Sequence, residues 1–331
     1  MGNTNGYWKI RLLSMAKRRL SKQQLSRIAH NQDVDAEVNG VVISHFGQQL
    51  EVEPLAGSGV AAIRCHQRSN LPPLVTGDRV VWEPGEDGVG MIVSVEERRS
   101  VFARPVFAGV VKPMAANIDI VLVVIAPTPM PLANLIDRYL VAIETLGLRP
   151  VLILNKADLK EQSEDPQRLE DLLSLYRGLG YSLLEVSALH GAGLDELGAV
   201  LRDNTTVLVG QSGVGKSSLV NGLGLDEALA QVGELSEFHD KGMHTTTTSR
   251  LFHLEGFDLI DSPGIREFGL GHVSAQEVFD GFVELRALRG QCKFRDCSHQ
   301  SEPGCALQLA LDSGELSGER LESYYQIIDS L

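Results

Sequence analysis

Apolar and polar positions along the chain fall into three rhythms. Between residues 36 and 97 they alternate in short segments, at 37–43, 49–53, 60–65, 78–82 and 91–95, with glycines breaking or separating them. Alternation puts successive side chains on opposite faces of a strand, and five such strands with tight turns predict a small barrel of the oligonucleotide-binding (OB) type. From residue 118 the apolar runs become nearly continuous: IDIVLVVI over 118–125, then 150–154, 182–186 and 207–209. Runs of that kind suit strands buried on both faces. Between them, 132–146, 169–179 and 194–201 have helical spacing, so the middle of the chain reads as an α/β domain with a parallel sheet covered on both sides. Beyond residue 273, segments 278–288, 307–311 and 324–328 read as short helices. Residues 98–117, with Pro105 and Pro113, have no clear period and read as a linker. The expected organisation is multidomain: an arm over 1–34, the barrel over 35–100, the α/β domain over 101–272 and a small helical domain over 273–331.

Charge changes the picture at one end. The net charge of the 331 residues is −13, yet residues 1–32 hold Lys9, Arg11, Lys17, Arg18, Arg19, Lys22 and Arg27 and no acidic residue. A basic arm on an acidic body either meets polyanion or is a solvated tail, and the sequence leaves both open. No apolar run approaches the length of a membrane span, so a soluble protein without membrane contact is expected. Of four cysteines, Cys65 is alone in a strand pattern and reads as core, while Cys292, Cys297 and Cys305 cluster. That is not the spread pattern of a secreted disulfide framework; it suits a reducing compartment.

The strongest chemical signal is TVLVGQSGVGKSS over 206–218. A buried strand runs into Gly210-Gln211-Ser212-Gly213-Val214-Gly215-Lys216-Ser217-Ser218, which fits the phosphate-loop pattern G-x-x-x-x-G-K-[ST]. Glycines let backbone N–H groups turn towards phosphate oxygens, and the following helix adds its positive end. Lys216 is placed to reach the β- and γ-phosphates and Ser217 to hold Mg²⁺. A second signal, Asn155-Lys156-Ala157-Asp158, ends the strand at 151–154 and fits NKxD. The Asp158 carboxylate can accept from guanine N1 and N2, the Asn155 amide can meet N7 and O6, and the Lys156 stem can lie over the base. Adenine offers the opposite pattern on its pairing edge, so such a site discriminates strongly. Ser187-Ala188-Leu189 ends the next strand, where a backbone N–H can meet guanine O6. NKxD precedes the phosphate loop by about fifty residues, the reverse of the usual order, so the sequence looks like a circularly permuted GTPase.

Asp261-Ser262-Pro263-Gly264 follows another strand and fits DxxG: Asp261 for the Mg²⁺ water shell, the Gly264 N–H for the γ-phosphate. Ile265 stands where a water-positioning glutamine is usual. His244, in the polar stretch 233–249 with its four threonines, is the best candidate to orient water instead. Slow turnover that a partner accelerates is the expected consequence. Cys292, Cys297, His299 and Cys305 give C-x4-C-x-H-x5-C, a closed tetrahedral set suited to one structural Zn²⁺. A helical domain of that size is not expected to hold together without it.

Together, the barrel pattern, NKAD, SAL, GQSGVGKSS, HTTT, DSPG followed by REFG, and the cysteine knuckle, in that order, closely resemble the ribosome small subunit-dependent GTPase A (RsgA/YjeQ) family from Met15 onward. The resemblance implies a cytoplasmic GTP hydrolase that acts on the 30S ribosomal subunit in late maturation, binds GTP/GDP and 16S rRNA, and is stimulated by the 30S particle. It implies His244 as the catalytic histidine beside Lys216, Ser217 and Asp261, favours Thr246 or Thr247 as the switch threonine, and assigns rRNA contact to the barrel and zinc domain. A monomer is expected. Met243 departs from the basic residue usual before HTTT. Two other readings stand beside this one: an ATPase or small-molecule kinase, against which NKAD argues, and a non-enzymatic RNA-binding scaffold holding GTP.

Overall fold

The computed structural model describes residues 37–46, 49–55, 61–85, 88–105, 111–225, 249–261, 270, 273–300 and 302–331. The expected basic arm lies outside them. Five strands form the first unit: β1 (Gly40–Phe46), β2 (Gln49–Pro54), β3 (Ile63–Gln67), β4 (Arg79–Pro84) and β5 (Gly90–Val95). Their order is β1-β2-β3-β5-β4, and β1 also pairs with β4, which closes the barrel. Val42, Leu50, Val52, Cys65, Val80 and Ile92, drawn from all five strands, fill its interior. Cys65 is fully buried core, and burial pushes its thiol up to about 11.

The stretch expected to be a linker is instead an antiparallel ribbon, β6 (Val101–Pro105) and β7 (Val111–Ala116). Its prolines are accommodated because Pro105 ends β6 and Pro113 sits at a register shift opposite Ala103, where a ladder donor is not needed. Phe102 is fully buried in the central core, which fixes the ribbon to the sheet below it.

The α/β unit follows the expected alternation: β8 (Ile120–Ile125), α1 (Ala133–Thr145), β9 (Arg149–Leu154), α2 (Pro166–Gly178), β10 (Ser182–Glu185), α3 (Leu194–Leu201), β11 (Thr205–Val209), α4 (Lys216–Gly222), β12 (Arg250–Leu254) and β13 (Phe257–Asp261). The order β10-β9-β8-β11-β13 is parallel throughout. All six residues of β8 are buried, as its uninterrupted apolar run requires. Odd-numbered β8 residues face the core under α1 and α2; even-numbered ones face α3 and α4. β12, which the sequence reading did not anticipate, adds antiparallel at the edge beside β13.

That edge strand joins the two units into one eleven-stranded sheet, because Ser44 of β1 pairs with Arg250 of β12. Side chains reinforce the seam. The Thr76 hydroxyl donates to the Ser249 carbonyl at 3.1 Å, and Arg250 meets Glu51 at 3.4 Å. His253 of β12 lies 2.6 Å from Asp258 of β13 and 2.8 Å from Glu53 of the barrel.

The last elements are α5 (Ala275–Gly281), α6 (Ala306–Asp312) and α7 (Gly318–Asp329). The helix expected over 278–288 is divided: α5 ends at Gly281, Phe282 turns extended, and a 3₁₀ turn covers Leu285–Leu288. A capping box of Ser274 and Glu277 starts α5. These elements seat on α1. Arg320 of α7, fully buried, pairs with Asp137 of α1 and with Glu284 at 2.6 Å, and its guanidinium lies 4.3 Å from the centre of the Phe282 ring. The Tyr176 hydroxyl of α2 donates to the same Asp137 carboxylate at 2.6 Å.

The His253 bridge predicts a pH dependence. Hydrogen bonds to Asp258 and then Glu53 raise the imidazole from 6.5 to about 10. The folded protein therefore holds this proton more tightly than the unfolded chain. The bridge's contribution is complete below the ordinary histidine value and is lost as pH rises towards about 10. The melting-temperature gap between wild type and His253→Gln should be widest near pH ~6 and close by pH ~10. A gap that stays constant over that range would rule out a charged bridge.

Candidate nucleotide site and metal centre

In a parallel sheet every strand delivers its C-terminal end to one edge, and ligands bind there. β8, β9, β10, β11 and β13 bring to that edge, in turn, the 126–132 segment, Asn155 to Asp158, Ser187 to Leu189, Gly210 to Ser218, and Asp261. Two motifs written in reverse order thus become neighbours. β11 lies between β8 and β13, which sets Asp261 beside the phosphate loop, with Val207 in register with Ile260.

The loop's geometry demands its glycines. Gly210 leaves β11 against the backbone of β8, where a Cβ would stand 2.2 Å from the Val124 carbonyl oxygen. Gly215 has φ +87°, and a Cβ there would lie 2.5 Å from the Asn155 amide nitrogen. The Lys216 ammonium donates to the Gly210 and Gln211 carbonyls at 2.6 and 2.7 Å, which holds its charge within the loop. Ser217 and Ser218 occupy the first turn of α4; Ser212 and Gly213 are exposed, and Val214 is buried.

Asn155 is buried and fully committed. Its amide N–H₂ donates to the Val214 carbonyl at 3.0 Å and the Gly215 carbonyl at 3.2 Å, and its Oδ1 accepts from the Ala188 N–H at 3.1 Å. One side chain therefore ties the NKAD strand end, the 187–189 turn and the phosphate loop together. Both amide hydrogens point at loop carbonyls, so the arrangement makes Asn155 a brace between loops. Lys156, in the left-handed region at φ 58°, adds a second tie: its ammonium donates to Gly213 O at 2.7 Å and Thr128 O at 3.0 Å. Ala157 and Asp158 begin a 3₁₀ turn. The Asp158 carboxyl lies below the ordinary aspartate range, drawn down by the nearby Ser187 hydroxyl, which stops short of a hydrogen bond, and by His190 with its Nε2 3.7 Å away. Asp158 is thus a ready acceptor. Leu189 projects into solvent at 83% exposure on the same rim. His244, Thr246, Thr247 and Gly264 lie outside the described residues.

A second constellation lies in the C-terminal segment. The ligand atoms of Cys292, Cys297, His299 and Cys305 all fall within 4.8 Å of one another and could hold a metal ion. His299 turns its Nδ1 to the Cys292 and Cys305 sulfurs at 3.4 and 3.6 Å. Its backbone is left-handed at φ 66°, and the Tyr325 hydroxyl and Gln308 amide hold its carbonyl. Glu302 closes the turn by accepting from the Ser298 and Gln300 N–H groups at 2.7 and 3.1 Å. The spacing of cysteines and histidine pointed to these four residues, which the fold brings together. Nothing in the pattern singled out Glu302, Gln308 or Tyr325, which support the ligands from outside.

The fold and this edge define a phosphate-loop GTPase with its base-reading strand moved ahead of the phosphate loop. Comparisons with known proteins agree. The family model described as RsgA GTPase matches residues 95–271. A relative from Pseudomonas putida, a small ribosomal subunit biogenesis GTPase RsgA, is 52% identical over 96% of this chain and 98% of its own. Another of that name, from Azotobacter vinelandii, is 53% identical with the same coverage. Among solved structures, YjeQ from Thermotoga maritima aligns with a TM-score of 0.69 at 30% identity, over 88% of this chain and 98% of that one. YloQ, described as a circularly permuted GTPase, aligns at 0.67 and 26%, over 89% of this chain and 95% of that one. The chain belongs to the RsgA GTPase family.

Removing the brace should be measurable without any ligand. Asn155→Ala leaves two carbonyls and the Ala188 N–H without their partner, at a cost of about 1–3 kcal/mol in unfolding free energy. Hydrogen exchange at the Ala188 amide should accelerate in the variant. An unchanged rate there would mean that the Asn155 carbonyl is not its acceptor.

Proposed function

We propose that the protein hydrolyses GTP to GDP and phosphate on the small ribosomal subunit, in late maturation of that particle, with hydrolysis stimulated by the 30S subunit. The observation that carries this reading is the Asn155 side chain, which bonds the phosphate loop to the base-side turn and so makes one bipartite site from two separate motifs. The names of the relatives, small ribosomal subunit biogenesis GTPases, support the partner.

In this reading Asp158 accepts from guanine N1 and N2, with its carboxyl already biased to the charged form. The Ala188 and Leu189 backbone lines the base side. The phosphate loop, Gly210 to Ser218, surrounds the phosphates, and Lys216 turns from the loop carbonyls to the β- and γ-oxygens. Ser217 and Asp261 stand on adjacent elements where Mg²⁺ would be held; the ion would neutralise charge that develops on the phosphates. His244 orients the attacking water, Thr246 or Thr247 closes on the γ-phosphate, and the Gly264 N–H senses it. The barrel and the C-terminal knuckle meet 16S rRNA. The protein works as a cytoplasmic monomer; among the described residues no helix is long and apolar enough to cross a membrane.

The knuckle suits zinc. Tetrahedral bonds of about 2.3 Å to sulfur and about 2.0 Å to nitrogen give a sulfur–nitrogen edge of roughly 3.5 Å. The observed separations of 3.4 and 3.6 Å bracket that value. With four protein ligands no position is left for substrate, so the metal's part is structural. Elemental analysis should find about one zinc per chain, and Cys297→Ala should lose it together with helical signal. Full retention of zinc by that variant would remove Cys297 from the ligand set.

The functional test is GTP turnover with and without purified 30S subunits, for wild type and His244→Ala. Stimulation should largely vanish in the variant while GTP binding survives. Equal stimulation of both proteins would take His244 out of the mechanism, and no GTP turnover by wild type under either condition would refute the activity.

A further inference from the structure

The residues between the first two cysteines of the knuckle form an exposed tip. Lys293, Phe294, Arg295 and Asp296 all face solvent, and Cys292 and Cys297, both in the ligand cluster, bound the tip at its two ends. The far side of the knuckle supplies another anchor. The Lys293 N–H donates to the Gly304 carbonyl at 3.0 Å, and the Lys293 stem lies so close that a Cβ on Gly304, at φ +79°, would stand 3.0 Å from its Cβ. The tip is therefore placed by the ligand cluster and by backbone pairing, with none of its own side chains buried.

Phe294 breaks a pattern. Among the described residues it is the one exposed aromatic ring, at 43% exposure. The other rings of the segment are spent on packing: Phe279 and Phe282 are buried and both meet Tyr324 edge to face. A lone exposed apolar side chain says little by itself. The setting of this one says more. The Lys293 ammonium lies 5.4 Å from the ring centre. Arg295 follows the ring, and among the described residues neither of these two cations has a carboxylate partner. Arg289, the next cation back along the chain, is committed to Asp280. Two cations in the tip thus outweigh its one acid, Asp296.

A flat apolar face between two free cations on a fixed loop matches one chemistry well. An unpaired base stacks on the ring, and the phosphates beside it meet the cations. Bases within a duplex are already stacked and offer no free face. An apolar protein partner needs a wider patch, and Phe294 is the one apolar residue of the tip.

We infer that the tip is a nucleotide-stacking platform: Phe294 takes one unpaired RNA base on its face, and Lys293 and Arg295 bind the neighbouring phosphates. The inference rests on the reading that the knuckle meets RNA. It adds that the contact is to a single-stranded element and is made through one base. A metal in the knuckle then serves binding as well as folding, because a tip that is already ordered loses less entropy when the base arrives.

The test uses the full chain with bound zinc and two labelled probes, a short unstructured RNA and the same strand paired with its complement. Phe294→Ala should weaken single-strand affinity by about five- to a hundred-fold, the range for one stacked base, and leave duplex affinity unchanged. Phe294→Trp should restore single-strand affinity and report the stack directly, as emission that the single strand quenches. Wild type already carries Trp8 and Trp82, so the quench is read as the excess over wild type. Arg295→Gln should lower the slope of log affinity against log salt by about 0.7, whereas Phe294→Ala should leave that slope alone. Zinc content and circular dichroism check that each variant is folded. Equal single-strand affinity of wild type and Phe294→Ala would overturn the inference, and so would the absence of excess quenching in Phe294→Trp. Weaker binding of Phe294→Ala to 30S subunits with single-strand affinity intact would assign the tip to a protein surface instead and overturn it too. If wild type binds neither probe, the RNA reading of the knuckle falls first, which differs from RNA binding that the variants leave unchanged.

Discussion

The site depends on one carboxamide. Asn155 brings two donors and one strong acceptor into a buried position, and each is used: two loop carbonyls accept and one turn N–H donates. Backbone groups at a sheet edge that turn inward need partners, because an unpaired buried polar group costs as much as several contacts gain. The brace supplies them and joins loops about sixty positions apart in the chain. It works only because Gly215 has no Cβ, for a methyl there would collide with the Asn155 amide. The glycine of one motif and the asparagine of the other are therefore one structural unit. Chain order does not matter to that unit. Parallel strands deliver both loops to the same edge however the chain is cut, so a permuted sequence builds the same pocket.

A different economy operates where the C-terminal segment seats on α1. Burying the Arg320 guanidinium with Asp137 and Glu284 carries a desolvation cost that ion pairing offsets only when the geometry is good and the remaining groups are bonded. Burial pushes the Asp137 carboxyl up, while Arg320 and the Tyr176 hydroxyl pull it back. Such a cluster adds less net stability than an apolar plug of similar volume could. What it adds is discrimination, since an apolar face tolerates sliding by a turn and a buried arginine bonded to two carboxylates does not. The Phe282 ring beneath the guanidinium and the close Gly281–Val141 contact narrow the choice further. The segment is thus held in a single register on the helix that also lies against the phosphate loop.

Much of this was legible in the chain, for reasons that particular residues make plain. The continuous apolar run Ile120–Ile125 could only be a strand covered on both faces. The phosphate-loop pattern already marked Gly210 and Gly215, where close backbone and side-chain approach leaves no room for a Cβ, and spacing marked the four cysteine and histidine positions that the fold brings together. The misreadings share a cause. In 98–117 prolines masked a ribbon, because an edge position and a register shift remove the need for their missing donors. β12 is only five residues long, and its assignment as a strand comes from pairing with β13 and β1, which local periodicity does not encode. The expected helix over 278–288 ends early because Phe282 is drawn across the Arg320 guanidinium. The Asn155 donors engage the Val214 and Gly215 carbonyls, a tertiary tie that four residues of motif cannot announce. Arg320 falls within an amphipathic helix whose buried set also includes Leu321, Tyr324 and Ile327, and a lone arginine there reads as surface until its partners are seen.

Permutation gives these attachments their significance. In this chain order β12 and β13 enter late, after the phosphate loop, and the C-terminal segment follows directly after them. The barrel, though first in sequence, docks on β12 through Ser44, Glu51 and Glu53. The last segment, though it follows β13, docks on α1 near the start of the α/β unit. Each flanking unit therefore grips the α/β unit at a different element, the barrel at β12 beside β13 and the C-terminal segment at α1. The seams are made of ion pairs and close backbone contacts, which fix one register where apolar area alone would not specify it.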